Sequence, residues 1–131
     1  MRFFATAVVA VGIASALPGC SPSVEPGTVL MSEGNSFAPS EVTVQAGDNL
    51  EFRNDSGAAH SVTAYDDGVP EGAEYFSSGN LKDEGAAREG VGATLVKPDD
   101  SFDIILDEPG TYRYFCIPHE SQGMKGTITV E

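Results

Sequence analysis

The chain alternates between short runs of hydrophobic or β-branched residues and clusters of turn-forming residues. Apolar and polar positions alternate over 41–45 and again over 50–53, and each run ends in a turn cluster. Alternation with a period of two is typical of half-buried β-strands. Similar short runs predict further strands at 28–31, 61–65, 101–106, 111–116 and 126–130. About seven to eight short strands at this spacing predict an all-β fold, a two-sheet Greek-key sandwich of antiparallel strands.

One long segment, residues 69–92, fits no strand well. It is rich in Gly, Ala and Glu, and only residues 81–89 have a composition that suits a short helical turn. We therefore expect a long irregular excursion at the surface of the sandwich. The sequence shows no internal repeat and no second domain.

The composition agrees with this fold class and narrows the range of partners. Gly 15 and Pro 8 favour short strands joined by turns over long helices. Lys and Arg number 7 against 20 Asp and Glu, which gives a formal net charge of -13. A nucleic-acid partner is excluded, because binding to its backbone needs clustered basic residues. The acid excess instead fits a cationic partner, a salt-rich environment or simple solubility.

The first residues have the features of an export signal. Arg2 precedes an uncharged apolar run at 3–17, which is too short for a membrane span of about 20 residues. The run ends in Leu17-Pro18-Gly19-Cys20, which resembles a bacterial-type lipobox. We predict a lipoprotein signal peptide over 1–19, a lipidated N-terminus and tether over 20–27 with the lipid on Cys20, and one domain over 28–131. An ordinary secretory signal or a buried hairpin is the alternative.

Three residues between the C-terminal strands, together with one histidine that follows an upstream turn, suggest a metal centre. Cys116, His119 and Met124 have the spacing C-x2-H-x4-M between two predicted strands, and the only other histidine is His60. One unpaired Cys, two His and a nearby Met form the ligand set of a blue-copper site. A thiolate and two imidazoles bind both oxidation states of copper, and a weak thioether ligand helps to set the reduction potential. The residues therefore predict one copper ion per chain.

Three other functions are consistent with part of this pattern. A copper chaperone or storage protein usually carries Met-rich or His-rich clusters, whereas this chain has only three Met. A cysteine hydrolase using Cys116 and His119 would also need an oxyanion site and an orienting partner, for which the sequence offers no obvious residues. A metal-free adhesive sandwich would leave Cys116 unexplained.

At these residues the chain resembles the plastocyanin-like small blue copper proteins of the cupredoxin family, and within them the haloarchaeal halocyanins. The similarity runs over roughly 28–131 and includes the segments 37–40, 54–60, 109–112 and 123–130. It implies a cupredoxin sandwich with His60, Cys116, His119 and Met124 as copper ligands. It further implies that the ring edge of His119 reaches solvent within an apolar patch, where the electron leaves.

The sequence differs from plastocyanins at two positions near the predicted ligands and shares with them one acidic region. Phe115 stands where plastocyanins often have Tyr, and Ser61 stands where they commonly have an Asn that ties the two ligand loops together. We expect no electron route through a phenol at position 115 and a less rigid tie at Ser61. The excursion carries acidic residues where plastocyanins have an acidic docking patch: Asp66, Asp67, Glu71 and Glu74. Docking and a solvated or salt-adapted face are equally good interpretations of these charges.

The sequence thus predicts an electron-transfer protein and not an enzyme. We expect a monomeric one-electron carrier, anchored by lipid to the outer face of the cytoplasmic membrane, in the periplasm or at the cell surface. It would dock transiently with membrane redox complexes or cytochromes and cycle copper between Cu(II) and Cu(I).

Overall fold

The computed structural model describes residues 27–131, and the predicted signal peptide, Cys20 and most of the tether lie outside them. Eight strands form two four-stranded sheets, as the sequence predicts. The strands are β1 (Thr28–Ser32), β2 (Ser36–Ala38), β3 (Glu41–Val44), β4 (Asn49–Asn54), β5 (Thr63–Ala64), β6 (Ser101–Ile105), β7 (Gly110–Phe115) and β8 (Lys125–Val130). Within 27–131, no helix is long and apolar enough to cross a membrane.

Both sheets are mixed, and the prediction of purely antiparallel strands is wrong in this respect. One sheet has the order β2-β1-β4-β6 and the other β3-β8-β7-β5. β1 pairs with β4 in parallel, and β3 pairs with β8 in parallel. The other four pairs, including the long β7–β8 pair, are antiparallel. Alternation of apolar and polar residues reports which face of a strand is buried, but it does not report the direction of the neighbouring strand.

The whole segment between β5 and β6, residues 65–100, extends beyond the predicted range at both ends, and we call all of it the excursion from here on. It contains two short helices, α1 (Glu84–Glu89) and α2 (Val91–Thr94), and a 3-10 turn (Asp66–Gly68) near its start. The expected helical turn is therefore present and lies within the predicted range. Asp83 caps α1 by accepting a hydrogen bond from the backbone N–H of Ala86 at 2.7 Å. An N-terminal Asp cap satisfies a donor that the first turn leaves unpaired.

Aromatic side chains fill the core between the sheets. The ring of Tyr114 packs edge-on against Phe37 at 4.7 Å and against Phe52 at 5.2 Å between centroids. Gly126 lies opposite Tyr114 in the β7–β8 pair. A Cβ atom at Gly126 would overlap the Tyr114 ring, so only glycine admits the ring at this position. This packing fixes β7 and β8 immediately next to the residues that the sequence assigns to the metal centre.

Candidate metal centre

Cys116, His119 and Met124 lie on one loop whose two ends are held by strands. Cys116 follows the last residue of β7, and Met124 precedes the first residue of β8, so we call residues 116–124 the ligand loop. A 3-10 helix (Ile117–Gln122) forms its middle. The N–H of Cys116 donates to the carbonyl of Met124 at 3.0 Å, and the N–H of Met124 donates to the carbonyl of His119 at 3.2 Å. These bonds close the loop and hold its three predicted ligands close together.

His60 approaches from a separate segment between β4 and β5. It forms an isolated β-bridge with Val96: its N–H donates to the Val96 carbonyl at 3.1 Å, and the Val96 N–H donates back at 2.7 Å. The His60 side chain is fully buried. The bridge therefore fixes the backbone of His60 against the end of the excursion. His60 is thus held by a segment of the chain that is separate from the ligand loop.

The donor atoms of three predicted ligands converge. The Sγ of Cys116 lies 3.3 Å from Nδ1 of His119 and 3.8 Å from Nδ1 of His60, and the two Nδ1 atoms are 3.1 Å apart. Donor atoms that share one transition-metal ion at about 2.0–2.3 Å lie roughly 3–4 Å from each other. All three distances fall in that range. A thiol and two imidazoles are also donors that suit copper, so the residues present fit the group.

Met124 is fully buried in the hydrophobic core, and its backbone bonds place it directly beside Cys116 and His119. His119 differs from the other three predicted ligands because it is only half-buried. It follows Pro118, which is exposed, and Ile117, which is half-buried. The expected path to solvent through His119 therefore agrees with the burial pattern of the ligand loop.

The electrostatics of the cluster favour neutral side chains. Burial and the neighbouring His119 hold the pKa of His60 below its ordinary value. Burial raises the pKa of the Cys116 thiol, although the N–H of Ser61 donates to its Sγ at 3.3 Å and opposes that effect. A neutral imidazole presents a lone pair to a metal. A thiol with a raised pKa is a poor free nucleophile, which counts against a cysteine hydrolase.

Ser61 ties the two ligand segments together with its backbone and its side chain. Besides the N–H bond to Cys116, its hydroxyl accepts a hydrogen bond from the N–H of Ile117 at 2.8 Å. The same hydroxyl lies 3.2 Å from the Oγ1 of Thr63. Serine therefore makes the inter-loop contact at this position despite its shorter side chain. How rigid this tie is relative to one made by Asn stays a prediction.

Sequence reasoning missed two polar residues that contact or support His60. Ser56 lies with its Oγ 2.8 Å from Nε2 of His60, and Asn54 bonds to Ser56 and to the backbone around His60. Both belong to the cluster Asn54-Asp55-Ser56-Gly57, which has the composition of an ordinary turn. Two signals were available: this cluster lies three to six residues before a predicted ligand, and it falls within the segment 54–60 that carries the family resemblance.

The excursion braces the ligand loop through a stack of side chains around Phe115. The Tyr65 ring stacks on Phe115 at 4.3 Å with an interplanar angle of 26°, and the Arg88 guanidinium of α1 lies 4.4 Å from the Phe115 centroid. The Tyr65 hydroxyl donates to a Glu120 carboxylate oxygen at 2.7 Å. Arg88 donates to both Glu120 oxygens, at 3.0 and 3.1 Å. A phenol is thus present beside position 115, contributed by Tyr65.

The four acidic residues of the excursion divide into two pairs. Asp66 accepts a hydrogen bond from the N–H of Glu84 at 2.9 Å, and Asp67 forms an ion pair with Arg113 at 3.1 Å. Glu71 and Glu74 are exposed. Asp66 and Asp67 are exposed as well, so these two contacts do not remove their carboxylates from the acidic surface.

Two four-stranded sheets, with a largely buried cluster of His60, Cys116 and His119 at one end, define the chain as a cupredoxin. A family model described as "Copper binding proteins, plastocyanin/azurin family" matches residues 27–131. The chain belongs to this family of copper-binding proteins.

Relatives and solved structures agree with this assignment. The chain is 33% identical to the chloroplastic plastocyanin minor isoform of Arabidopsis thaliana, over 100% of this chain and 71% of that protein. It is 37% identical to the plastocyanin of Ginkgo biloba, over 72% of this chain and 86% of that protein. The oxidised plastocyanin of Dryopteris crassirhizoma superposes with a TM-score of 0.56 at 30% identity, over 79% of this chain and 99% of that one. The narrower resemblance to halocyanins stays a prediction.

Proposed function

We propose that this plastocyanin-family electron carrier binds one copper ion through Nδ1 of His60, Sγ of Cys116, Nδ1 of His119 and the thioether of Met124. The observation that carries the proposal is the convergence of the three nitrogen and sulfur donors within 4.8 Å of one another. Copper bound there supplies a centre that accepts and releases one electron. The role of the protein is to hold the donors still.

The surrounding structure supports a site that changes little between oxidation states. β7 and β8 hold both ends of the ligand loop, and the bridge with Val96 holds the backbone of His60. Ser61 links the two segments. A donor set that does not rearrange lowers the cost of each electron transfer. His119 is half-buried whereas the other three proposed ligands are buried, so it offers a way for the electron from the buried donors to the surface.

The proposal extends to the cellular setting. The protein is a monomer, anchored by a lipid on Cys20 to the outer face of the cytoplasmic membrane, and it carries electrons between membrane redox complexes or cytochromes. The lipobox-like sequence ending at Cys20 and the acidic surface support this setting. Detergent partitioning and mass spectrometry of the membrane fraction test the anchor. We expect a lipid-modified N-terminus at Cys20 and release of the Cys20→Ala variant into the soluble fraction.

The electron-carrier function is tested by voltammetry of the copper-loaded protein, together with a chelator challenge. We expect one reversible one-electron wave and slow loss of copper to the chelator, because three of the four proposed ligands are buried. Rapid transfer of copper to the chelator, without a reversible wave, would contradict electron transport and favour copper handling. Binding to immobilised c-type cytochromes at low and high salt then tests the proposed class of partner.

A further inference from the structure

A short chain of hydrogen bonds runs from the end of β4 to the ring of His60. It begins at Asn54, which is 1% exposed, passes through the hydroxyl of Ser56, which is 8% exposed, and ends at Nε2 of His60. The donors and acceptors along such a chain are limited in number. The position of each proton therefore follows from the partners.

Asn54 fixes the first step. Its Nδ2 group has two hydrogens, and these donate to the carbonyls of Ala58 at 2.7 Å and of Val96 at 2.9 Å. Its Oδ1 therefore faces Ser56, where it accepts the backbone N–H at 3.0 Å and the hydroxyl at 2.8 Å. An amide oxygen only accepts hydrogen bonds, so the Ser56 hydroxyl is the donor in that contact.

Ser56 fixes the second step. A serine hydroxyl has one hydrogen and two acceptor positions. The other oxygen within reach of its hydrogen, the Ala58 carbonyl at 3.2 Å, is also only an acceptor. A hydrogen directed at Nε2 of His60 would leave the Ser56 Oγ and the Asn54 Oδ1 2.8 Å apart with no hydrogen between them, which is repulsive. With its hydrogen directed to an oxygen, the hydroxyl accepts from the Ala58 N–H at 3.3 Å and from the His60 ring at 2.8 Å. The proton between Ser56 and His60 therefore belongs to Nε2 of His60.

We propose that Ser56 is a positioning residue for copper binding: its hydroxyl, oriented by Asn54, holds His60 in the Nε2–H tautomer and leaves the lone pair of Nδ1 directed at Cys116 and His119. This inference rests on the copper site of the proposed function. A neutral imidazole carries one ring hydrogen. The opposite tautomer would place that hydrogen on Nδ1, which lies 3.8 Å from Sγ of Cys116 and 3.1 Å from Nδ1 of His119. That hydrogen would occupy the position from which Nδ1 binds a metal.

The direct test is nuclear magnetic resonance of the metal-free protein labelled with ¹⁵N-histidine. The chain has two histidines, so the long-range ¹H–¹⁵N spectrum contains only two ring systems. It is recorded well above the ordinary imidazole pKa of about 6.5, so that the tautomer of the neutral His60 ring is observed. We expect His60 to be the Nε2–H tautomer in the wild-type protein and a mixture of tautomers in Ser56→Ala. This measurement does not depend on copper binding or on electron transfer.

Copper affinity gives the second readout, measured by competition with a chelator. Loss of a group that orients a metal-binding histidine typically costs about 10- to 100-fold in affinity, and we expect a loss of that size for Ser56→Ala. Ser56→Thr keeps the hydroxyl and retains both the tautomer and the affinity. Ser78→Ala is the matched control. Ser78 is also a buried serine, 2% exposed, but its hydroxyl bonds to Val62 and Thr94 instead of to a histidine.

The outcomes separate this inference from the proposed function. An Nδ1–H tautomer in the wild-type protein, or an unchanged tautomer and affinity in Ser56→Ala, overturns the role of Ser56 and leaves the copper site standing. Equal losses of affinity in Ser56→Ala and Ser78→Ala also overturn it, because they would reflect only the loss of a buried hydrogen bond. A wild-type protein that shows the expected tautomer but binds no copper overturns the proposed function, and with it this role for Ser56.

Discussion

Arg88 is the side chain through which α1 contacts the ligand loop, and replacing it by Gln tests whether the excursion stabilises that loop. Its guanidinium donates to both carboxylate oxygens of Glu120, at 3.0 and 3.1 Å, and lies 4.4 Å from the centroid of the Phe115 ring. It also forms an ion pair with Glu84 at 2.8 Å within its own helix. Gln keeps a polar side chain but removes the charge, the forked geometry and most of the contact with the ring.

The expected loss follows from the exposure of these groups. The Arg88 side chain is 38% exposed and that of Glu120 is 27% exposed, so solvent screens their attraction and the pair is worth about 0.5–1 kcal/mol. A cation over an aromatic ring at a partly exposed site adds about 0.5–1 kcal/mol, and the pair within the helix adds about 0.3–0.5 kcal/mol. We therefore expect Arg88→Gln to lower the free energy of unfolding by about 1.3–2.5 kcal/mol.

The assay is urea unfolding of the metal-free protein, with Arg53→Gln as the matched control. Arg53 also forms a surface ion pair, with Glu51 at 2.7 Å, but it lies on β4 and its guanidinium donates to Glu51 instead of to the ligand loop. We expect the control to lose less than about 0.5 kcal/mol, and copper to leave Arg88→Gln faster than it leaves the control. Equal unfolding energies and equal rates of copper loss in the two variants would refute the bracing role of α1.

The ion pair also predicts a difference at acid pH. Hydrogen bonding to Arg88 holds the pKa of Glu120 below its ordinary value. The stabilisation from this carboxylate is therefore complete above the ordinary Glu pKa of about 4.3 and is lost as the pH falls through the lowered pKa. The difference in unfolding energy between the wild-type protein and Arg88→Gln should shrink over the same range.

Three further predictions concern the core and the fourth proposed ligand. The Tyr114 hydroxyl is buried without a hydrogen-bond partner among the described residues, so Tyr114→Phe should raise the unfolding free energy by about 1–3 kcal/mol; a lower value in urea would contradict this. Burial raises the pKa of Tyr65, Tyr75, Tyr112 and Tyr114. The raised pKa values stabilise the folded state fully below the ordinary Tyr pKa of about 10, and this stabilisation is lost as the pH rises above it. Phenolate absorbance should therefore appear only as the protein unfolds. Gradual ionisation of the folded protein near pH 10 would be inconsistent with this burial. Met124→Leu should keep copper and raise the reduction potential, because the weak thioether ligand is lost; voltammetry showing a lower or unchanged potential would exclude Met124 as that ligand.

The strands and three of the predicted ligands could be predicted from the sequence because both follow regular patterns of residue spacing. Alternation located most of the strands, and the spacing of Cys116, His119 and Met124 placed three functional side chains on one loop. β2 has only three residues, Ser36–Ala38, which is too short for alternation to be visible. β5 spans only Thr63–Ala64, although the apolar run around it is longer. The preceding residues bond elsewhere, because the Val62 carbonyl accepts from Ser78 of the excursion and the Ser61 N–H donates to Cys116.

The hydrogen bonds and packing contacts that support the predicted ligands could not be predicted from the sequence in the same way. Ser56 and Asn54 look like turn residues, and only the folded chain brings the Ser56 hydroxyl to the His60 ring. The contacts of Arg88 with Phe115 and Glu120 join residues about 30 positions apart, and no periodicity marks them. Contacts of this kind depend on how the excursion lies across β7, and that placement is decided by tertiary packing.

The central claim is that Cys116 and the two histidines hold copper in a blue-copper site. The most direct measurement is the visible and electron paramagnetic resonance spectrum of the purified protein after one equivalent of Cu(II), with Cys116→Ser as the comparison. We expect an intense blue band from the thiolate and a small copper hyperfine splitting in the wild-type protein, and neither in Cys116→Ser. A pale, tetragonal Cu(II) spectrum from the wild-type protein, or a blue band that persists in Cys116→Ser, would contradict it.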